Sequence, residues 1–292
     1  MANDKLNIGI IGCFQNGKST FVNCLLDDIV ARTGYGISTT SVNTKYVYGD
    51  VQKVEYYSKG KIVGTSRLDE FLRTLVYSEG IDEIVITLWK PLLKNINIID
   101  TPGFDANDAD NAMALNSLNG IDVAILVLTN KGISIQEMNI IVELFKRRIP
   151  YFLIMNCTDR NTWNPNSKSN KIKTTDLYEK LKSLERLPWP MDKHSIVSVN
   201  LLWFWYASEQ YVNESEERCS QIESAIKSYS DDMGENLDRE YFLSASNFLV
   251  IRNYLTAEIN DGIPLKSVRW KIALSKTLLE WNEKLSIAIS KY

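Results

Sequence analysis

Residues Leu6 to Leu26 constrain the fold more than any other stretch of the chain. An apolar run, Leu6-Asn7-Ile8-Gly9-Ile10-Ile11, leads into Gly12-Cys13-Phe14-Gln15-Asn16-Gly17-Lys18-Ser19, and Phe21-Val22-Asn23-Cys24-Leu25-Leu26 follows with helical apolar spacing. This is GxxxxGKS in the setting it requires: a buried strand, a loop and a helix start. Gly12 and Gly17 leave room for backbone N–H groups to close around phosphate oxygens. The helix beginning near Lys18 adds its positive dipole end. Lys18 then reaches the outer phosphates of a nucleoside triphosphate, and the Ser19 hydroxyl suits Mg²⁺. The whole stretch Gly12–Thr20, with Gln15, Asn16 and Thr20, is the expected phosphate site.

The rest of the composition mainly excludes. The 292 residues are 45% hydrophobic and 24% charged, with a net charge of −3. That is ordinary for a globular chain with a sizeable core, and the scattered Lys and Arg argue against a nucleic-acid surface. Cys13, Cys24, Cys157 and Cys219 lie far apart without metal spacing, so a reducing, cytoplasmic setting without disulfides is expected. Met1 to Lys5 is polar and reads as no secretory signal. No apolar run reaches the roughly 18 residues of a membrane span. The aromatic stretch Leu201–Tyr206 reads as a buried helix, with an interfacial role as the alternative.

Strand-like and helix-like segments alternate to about residue 215. Leu6–Ile11, Val42–Tyr48, Glu83–Leu88, Asn95–Ile99, Val123–Leu128, Tyr151–Met155 and Ile196–Val199 read as strands. Val51–Tyr57 and Lys61–Gly64 read as a hairpin turning at Lys59-Gly60. Lys18–Asp27, Leu68–Tyr77 and Ile135–Lys146 read as helices, and Asn161–Lys173 as a polar loop. Together they predict an α/β fold, a doubly wound and mostly parallel sheet. Beyond Trp203 the pattern is helical only: Glu214–Ser228, Arg239–Glu258, and Leu265–Ile289 behind Pro264. The expected division is residues 1–212 as the sheet-bearing domain and 213–292 as a helical extension. Leu274, Leu278, Trp281, Leu285 and Ala288 form one apolar stripe on the last helix. It packs on the domain's own surface or serves as a seam for another helix.

Four later motifs complete the constellation. Asp100-Thr101-Pro102-Gly103 follows a strand. Asp100 suits a water-mediated hold on Mg²⁺, and the Gly103 N–H suits the γ-phosphate. Loss of that phosphate would release the loop from Gly103 to Asp110. The Gly/Thr/Ser-rich loop Gly34–Ser41 must supply a further hydroxyl to the metal, from Thr40 first or Thr39 second. Asn156-Cys157-Thr158-Asp159 follows the strand Tyr151–Met155. A carboxylate at Asp159 would pair with guanine N1–H and N2–H₂, a donor pair adenine lacks, while Asn156 braces the pocket. Ser198-Val199-Asn200 would contribute backbone contacts to the guanine carbonyl. His194, the only histidine, reads as structural or solvated.

In order and spacing these elements resemble a GTP-binding domain, and more narrowly a dynamin-superfamily GTPase of the bacterial dynamin-like and mitofusin kind. The loop running into Phe21–Leu26 is similar to the family's GKSTFINALL. Thr39-Thr40 after a Gly-rich loop, the inserted hairpin and helix over Val51–Tyr77, and Lys90-Pro91-Leu92-Leu93-Lys94 before Ile98–Phe104 add to the resemblance. It covers about residues 6–200, and the helix at Ser246–Arg252 extends it. The resemblance implies Mg²⁺-dependent hydrolysis of GTP to GDP and phosphate. It also implies a nucleotide-dependent homodimer across the nucleotide face, a helical stalk, and peripheral membrane association. Gly12, Gly17, Lys18, Ser19, Asp100, Gly103, Asn156 and Asp159 match the family directly. Many dynamins place a catalytic Gln where this chain has Phe14 and a Ser where it has Gln15; several bacterial relatives share the Phe14 departure. Gln15 and Asn16 would hold a monovalent cation, K⁺ or Na⁺, or order the attacking water. Cys157 stands where a Lys normally covers the base. The residues beyond Asn200 are too few for a full stalk with a membrane-inserting tip, so the chain is expected to be truncated or to meet a stalk from another chain. The alternatives are a GTP-binding switch or a scaffold with weak or no hydrolysis, and use of ATP.

Overall fold

The computed structural model describes residues 5–33, 42–74, 80–104, 115–159, 162–184 and 196–253. Thr39, Thr40, the loop after Phe104, His194 and the apolar stripe of Leu274–Ala288 lie outside the described residues.

The strands are β1 (Leu6–Ile11), β2 (Asn43–Tyr48), β3 (Lys53–Ser58), β4 (Lys61–Ser66), β5 (Glu83–Leu88), β6 (Ile96–Asp100), β7 (Val123–Thr129), β8 (Tyr151–Asn156) and β9 (Ile196–Val199). They form one nine-stranded sheet in the order β4-β3-β5-β2-β6-β1-β7-β8-β9. From β6 through β9 all pairings are parallel; β2 runs antiparallel to β6, and the β3–β4 hairpin is antiparallel. Lys59 and Gly60 both have positive φ, 50° and 73°, as a tight hairpin turn with the twist of its strands requires.

Helices cover both faces. They are α1 (Lys18–Leu26), α2 (Leu68–Arg73), α3 (Ile135–Lys146), α4 (Lys168–Ser183), α5 (Leu201–Ala207), α6 (Glu216–Met233) and α7 (Arg239–Ala245). Successive residues of β1 divide the core: Ile8 and Ile10 join the cluster holding Phe21, Leu25, Trp203 and Phe204, whereas Ile11 joins the cluster holding Ile140, Leu144 and Leu181. That alternation is the strand period read as two buried faces.

The first cluster does not stop at residue 212. Ile222 and Ile226 of α6, Phe242 of α7, and Phe248 belong to it. Phe248 meets Phe21 of α1 edge-on at 5.3 Å and Phe204 at 4.6 Å. Burying each such ring stabilises the fold by roughly 1.5–3 kcal/mol.

Two sequence expectations are corrected. The stretch expected as a polar loop over Asn161–Lys173 becomes helical from Lys168. Ser167 caps the Asn170 amide, and the fully buried Asn170 side chain anchors the first turn. The single helix expected over Arg239–Glu258 breaks at Asn247, which adopts φ 59°. The break frees the Ser246 carbonyl to accept from Asn200 N at 2.9 Å and lets Asn247 Nδ2 donate to Ser198 O at 3.1 Å. These bonds tie the C-terminal helices to the exit of β9.

Candidate functional site

Five strand ends define the site. In register, Ile10 of β1 stands beside Asp100 of β6, and Thr129 of β7 beside Asn156, itself beside Val199 of β9. The loops leaving these carboxyl ends enclose a cleft of about 390 Å³. In open α/β sheets this edge is where ligands bind.

The loop from β1 to α1 is shaped by its two glycines. A Cβ on Gly12 would lie 2.4 Å from the Val127 carbonyl oxygen, so the loop passes too close to β7 for any side chain. Gly17 has φ 96°, and a Cβ there would sit 2.7 Å from Asn156 Nδ2. Gln15, exposed at the loop tip, also adopts a left-handed φ of 62°. Gly17 occupies the N-cap of α1 and no side chain caps that helix. Ser134, Ser167, Asn200, Ser215 and Asp238 do cap α3 to α7. The start of α1 thus lies in the cleft lining with no cap from its N-cap side chain, and a helix N-terminus favours an anion.

Lys18 Nζ spans the loop and donates to Cys13 O at 3.1 Å, with the residue 7% exposed at the cleft wall. Ser19 Oγ donates to Asp100 Oδ2 at 2.8 Å, and Asp100 is almost fully buried. The turn after β6 is stitched to the same loop: Phe104 N donates to Gly12 O at 3.3 Å, and a Cβ on Gly103 would lie 3.1 Å from Phe14 Cα. Gly103 and Phe14 are therefore packed backbone against backbone.

Asn16 has a bracing role in the loop that sequence reading did not give it. Its Nδ2 donates to Val127 O at 2.8 Å and to Glu137 Oε1 at 2.7 Å. Both of its N–H groups thereby brace the loop against β7 and α3. Glu137, also buried, caps α3 reciprocally with Ser134.

On the far side, Asn156 Nδ2 donates to Asn16 O at 3.0 Å and its Oδ1 accepts from Leu201 N at 3.3 Å. Cys157 is buried, its thiol pushed up to about 12 by burial against a smaller opposing pull from Lys173. Asn156, Cys157 and Thr158 line the cleft. Asp159 is outside that lining; its Oδ2 accepts from Thr162 Oγ1 at 3.3 Å. Ser198 and Val199, expected to offer backbone contacts to a base, are likewise outside the described lining. The Val199 carbonyl accepts from Cys157 N at 2.7 Å and the Ser198 carbonyl from Asn247 Nδ2 at 3.1 Å. Asn200 does line the cleft, and its side chain caps α5.

The charge of the lining is one-sided. Among the described residues it contains Lys18, Arg32, Lys131 and Arg218 and no Asp, Glu or His. Arg32 is anchored away by bonds to the Phe71 and Thr74 carbonyls. In a chain of net charge −3, this part of the cleft carries the sign of charge that attracts anions. Sequence reading missed Lys131 and Arg218. Lys131 could have been found as a cation just past a buried strand; Arg218 comes from α6, and only folding brings it to the site.

The sequence profile described as "Dynamin family" matches residues 8–156. That is just over half of the chain. The chain belongs to the dynamin family. The match begins in β1, takes in the phosphate loop and Asp100–Gly103, and ends on the dynamin-family chain's Asn156. Dynamin-like protein 2 of Campylobacter jejuni subsp. jejuni serotype O:23/36 (strain 81-176) is 28% identical over 127 residues, 41% of this chain and 20% of that protein. Two solved chains of an oligomerised bacterial dynamin pair share the fold. One has a TM-score of 0.50 at 18% identity over 99% of this chain and 43% of its own. The other has 0.50 at 19%, over 99% and 44%. The dynamin-family chain therefore spans a fifth of the curated relative and under half of the solved ones. That bacterial pair is described as providing a mechanism for the long-range sensing and tethering of membranes. Among the described residues here, no helix is long and apolar enough to cross a membrane.

Proposed function

We propose that this chain is a GTP-binding and GTP-hydrolysing head of the dynamin type. One observation carries the reading: the Gly12–Gly17 loop, the start of α1 and Ser19, which is backed by the buried Asp100, meet at a cleft whose described lining is basic. Membership of the dynamin family supports the same activity.

In this reading the loop amides and Lys18 bind the β- and γ-phosphates, and Lys131 and Arg218 add positive charge at the rim. The donor set at Ser19 and Asp100 is a hydroxyl with a buried carboxylate, hard oxygens that suit Mg²⁺. Ser19 would hold it directly and Asp100 through water, with Thr40 or Thr39 joining from the following loop; bound there, magnesium neutralises charge on the phosphate oxygens. Water attacks the γ-phosphorus, the bond to the β–γ bridging oxygen breaks, and GDP leaves. The Gly103 N–H positions the γ-phosphate. Catalysis is positioning and electrostatics. Gln15, with Asn16, would hold a monovalent cation or order the attacking water. Asp159 reads guanine, and Asn156 holds the base loop against the phosphate loop.

Residues 1–212 are the GTPase domain in this reading. The helices to residue 253 clasp its edge, and 213–292 as a whole opens a neck towards a stalk, from this polypeptide or a partner. Nucleotide-dependent pairing of two heads and peripheral membrane binding are part of the same proposal, supported by family membership. The described lining holds no carboxylate or histidine to act as a general base. That favours slow intrinsic turnover, and it gives a second reading, a GTP switch with weak hydrolysis, its own support.

Phosphate release from GTP with and without magnesium tests the proposal. Wild type should hydrolyse GTP only with magnesium, and Lys18→Ala should lower the rate by at least about 100-fold. Equal rates for the two proteins would remove the proposal. Specific activity that rises with protein concentration supports self-association; constant activity over a wide concentration range opposes it.

A further inference from the structure

Two buried asparagines outside every motif of the sequence converge on the segment that carries Asp159. β7 ends at Thr129, but its ladder continues one residue further: Asn130 N donates to Asn156 O at 3.2 Å. The Asn130 side chain then turns to the exit of β8. Its Oδ1 accepts from both Thr158 N, at 3.1 Å, and Asp159 N, at 3.2 Å. Two consecutive amides aimed at one oxygen fix the backbone just where the Asp159 side chain departs.

The other end of the same amide continues to the carboxylate itself. Asn130 Nδ2 lies 2.8 Å from Thr162 Oγ1, and Thr162 Oγ1 donates to Asp159 Oδ2 at 3.3 Å. The Asn130 amide also donates to the Thr162 carbonyl at 3.0 Å, and because Thr162 Oγ1 accepts from that amide, its own proton is kept for Asp159 Oδ2. Asn170 locks the assembly from α4. Its Oδ1 accepts from Asn130 Nδ2 at 3.2 Å, and its Nδ2 donates to Thr162 O at 2.7 Å and Asn164 O at 2.9 Å and lies 3.3 Å from Cys157 Sγ. Asn130 and Asn170 are both fully buried. Lys173 Nζ closes the ring on Asn130 O at 2.6 Å.

A loop that only needed to be ordered could be filled with apolar side chains. A buried amide costs stability unless each polar atom is partnered, and here the partners all lie on residues 156 to 164 or on each other. We propose that Asn130 and Asn170 are positioning residues for base selection, holding the Asp159 backbone and, through Thr162, aiming its carboxylate. They compensate for Cys157, which supplies no long side chain to press the base into place. The proposal rests on the reading of Asp159 as the guanine contact.

The test separates base selection from phosphate binding. Binding of GTP, ATP and magnesium tripolyphosphate is measured for wild type, Asn130→Ala, Thr162→Val and Thr162→Ser. Wild type should prefer GTP to ATP. Asn130→Ala and Thr162→Val should each lower that preference by about tenfold, the effect of losing an oriented hydrogen bond to a charged group, and leave tripolyphosphate affinity unchanged. Thr162→Ser, which keeps the hydroxyl, should retain the preference. If Asn130→Ala does not fold, the Thr162 pair carries the result. An unchanged preference in Thr162→Val would overturn the proposal, as would a parallel fall in tripolyphosphate binding. If wild type itself shows no preference for GTP, the Asp159 reading fails first and takes this proposal with it.

Discussion

Asn156 Nδ2 reaches across the cleft to the backbone carbonyl of Asn16 at 3.0 Å, joining the end of β8 to the crown of the phosphate loop. The same side chain accepts from Leu201 N, so one amide ties phosphate loop, base loop and α5 together. Replacing it with Ala leaves two buried backbone groups unpaired. Asn156→Ala should lower stability by about 1–3 kcal/mol, read from denaturant unfolding, and weaken GTP and tripolyphosphate alike.

Gly17 tests the loop more sharply. Its φ of 96° and the 2.7 Å approach of Asn156 Nδ2 leave no place for a methyl group. Gly17→Ala should abolish nucleotide binding while the sheet remains folded, as judged by circular dichroism and equilibrium binding. Wild-type affinity in that variant would show that the loop geometry is not what binds.

Thiol chemistry offers a check on burial. Cys24 and Cys157 are buried, and burial holds both thiols up, Cys157 to about 12. Cys13 and Cys219 are half-buried. At pH 8 a thiol reagent should modify Cys13 and Cys219 and spare the other two until the protein unfolds. A raised thiol pKa means the folded state keeps a proton the unfolded state releases. Its contribution is complete below pH 9 and is lost as pH rises towards about 12. Alkaline unfolding of Cys157→Ala should therefore be less steep than that of wild type in that window.

The contact of Phe248 with Phe21 and Phe204 places the C-terminal helices against the back of α1. Phe248→Ala should cost about 3–5 kcal/mol. Limited proteolysis should then cut between α7 and residue 253 before the sheet. Wild-type stability in this variant would mean that these helices are not part of the domain core.

What was legible in the sequence followed from local patterns. The apolar runs of β1, β7 and β8 read as strands buried on both faces, and each ends at a glycine or an asparagine: Gly12, Asn130 and Asn156. The hairpin was legible because Lys59-Gly60 demands a tight turn. The site was legible where chemistry lies within one loop, as with Lys18 and Ser19. It was not legible where tertiary contact decides the role. Asn16 faces Glu137, from a helix far along the chain, and so turns inward. Arg218 enters from α6. The start of α4 was hidden by its polar composition, because Asn170 is buried for its hydrogen bonds and not for its apolar surface.

The decisive measurement is a calorimetric titration of the chain with a non-hydrolysable GTP analogue in the presence of magnesium, run beside Lys18→Ala. Wild type should bind one analogue per chain with saturable heat that vanishes when magnesium is chelated, and Lys18→Ala should give none. A folded wild-type sample that releases no heat would contradict the assignment of the cleft.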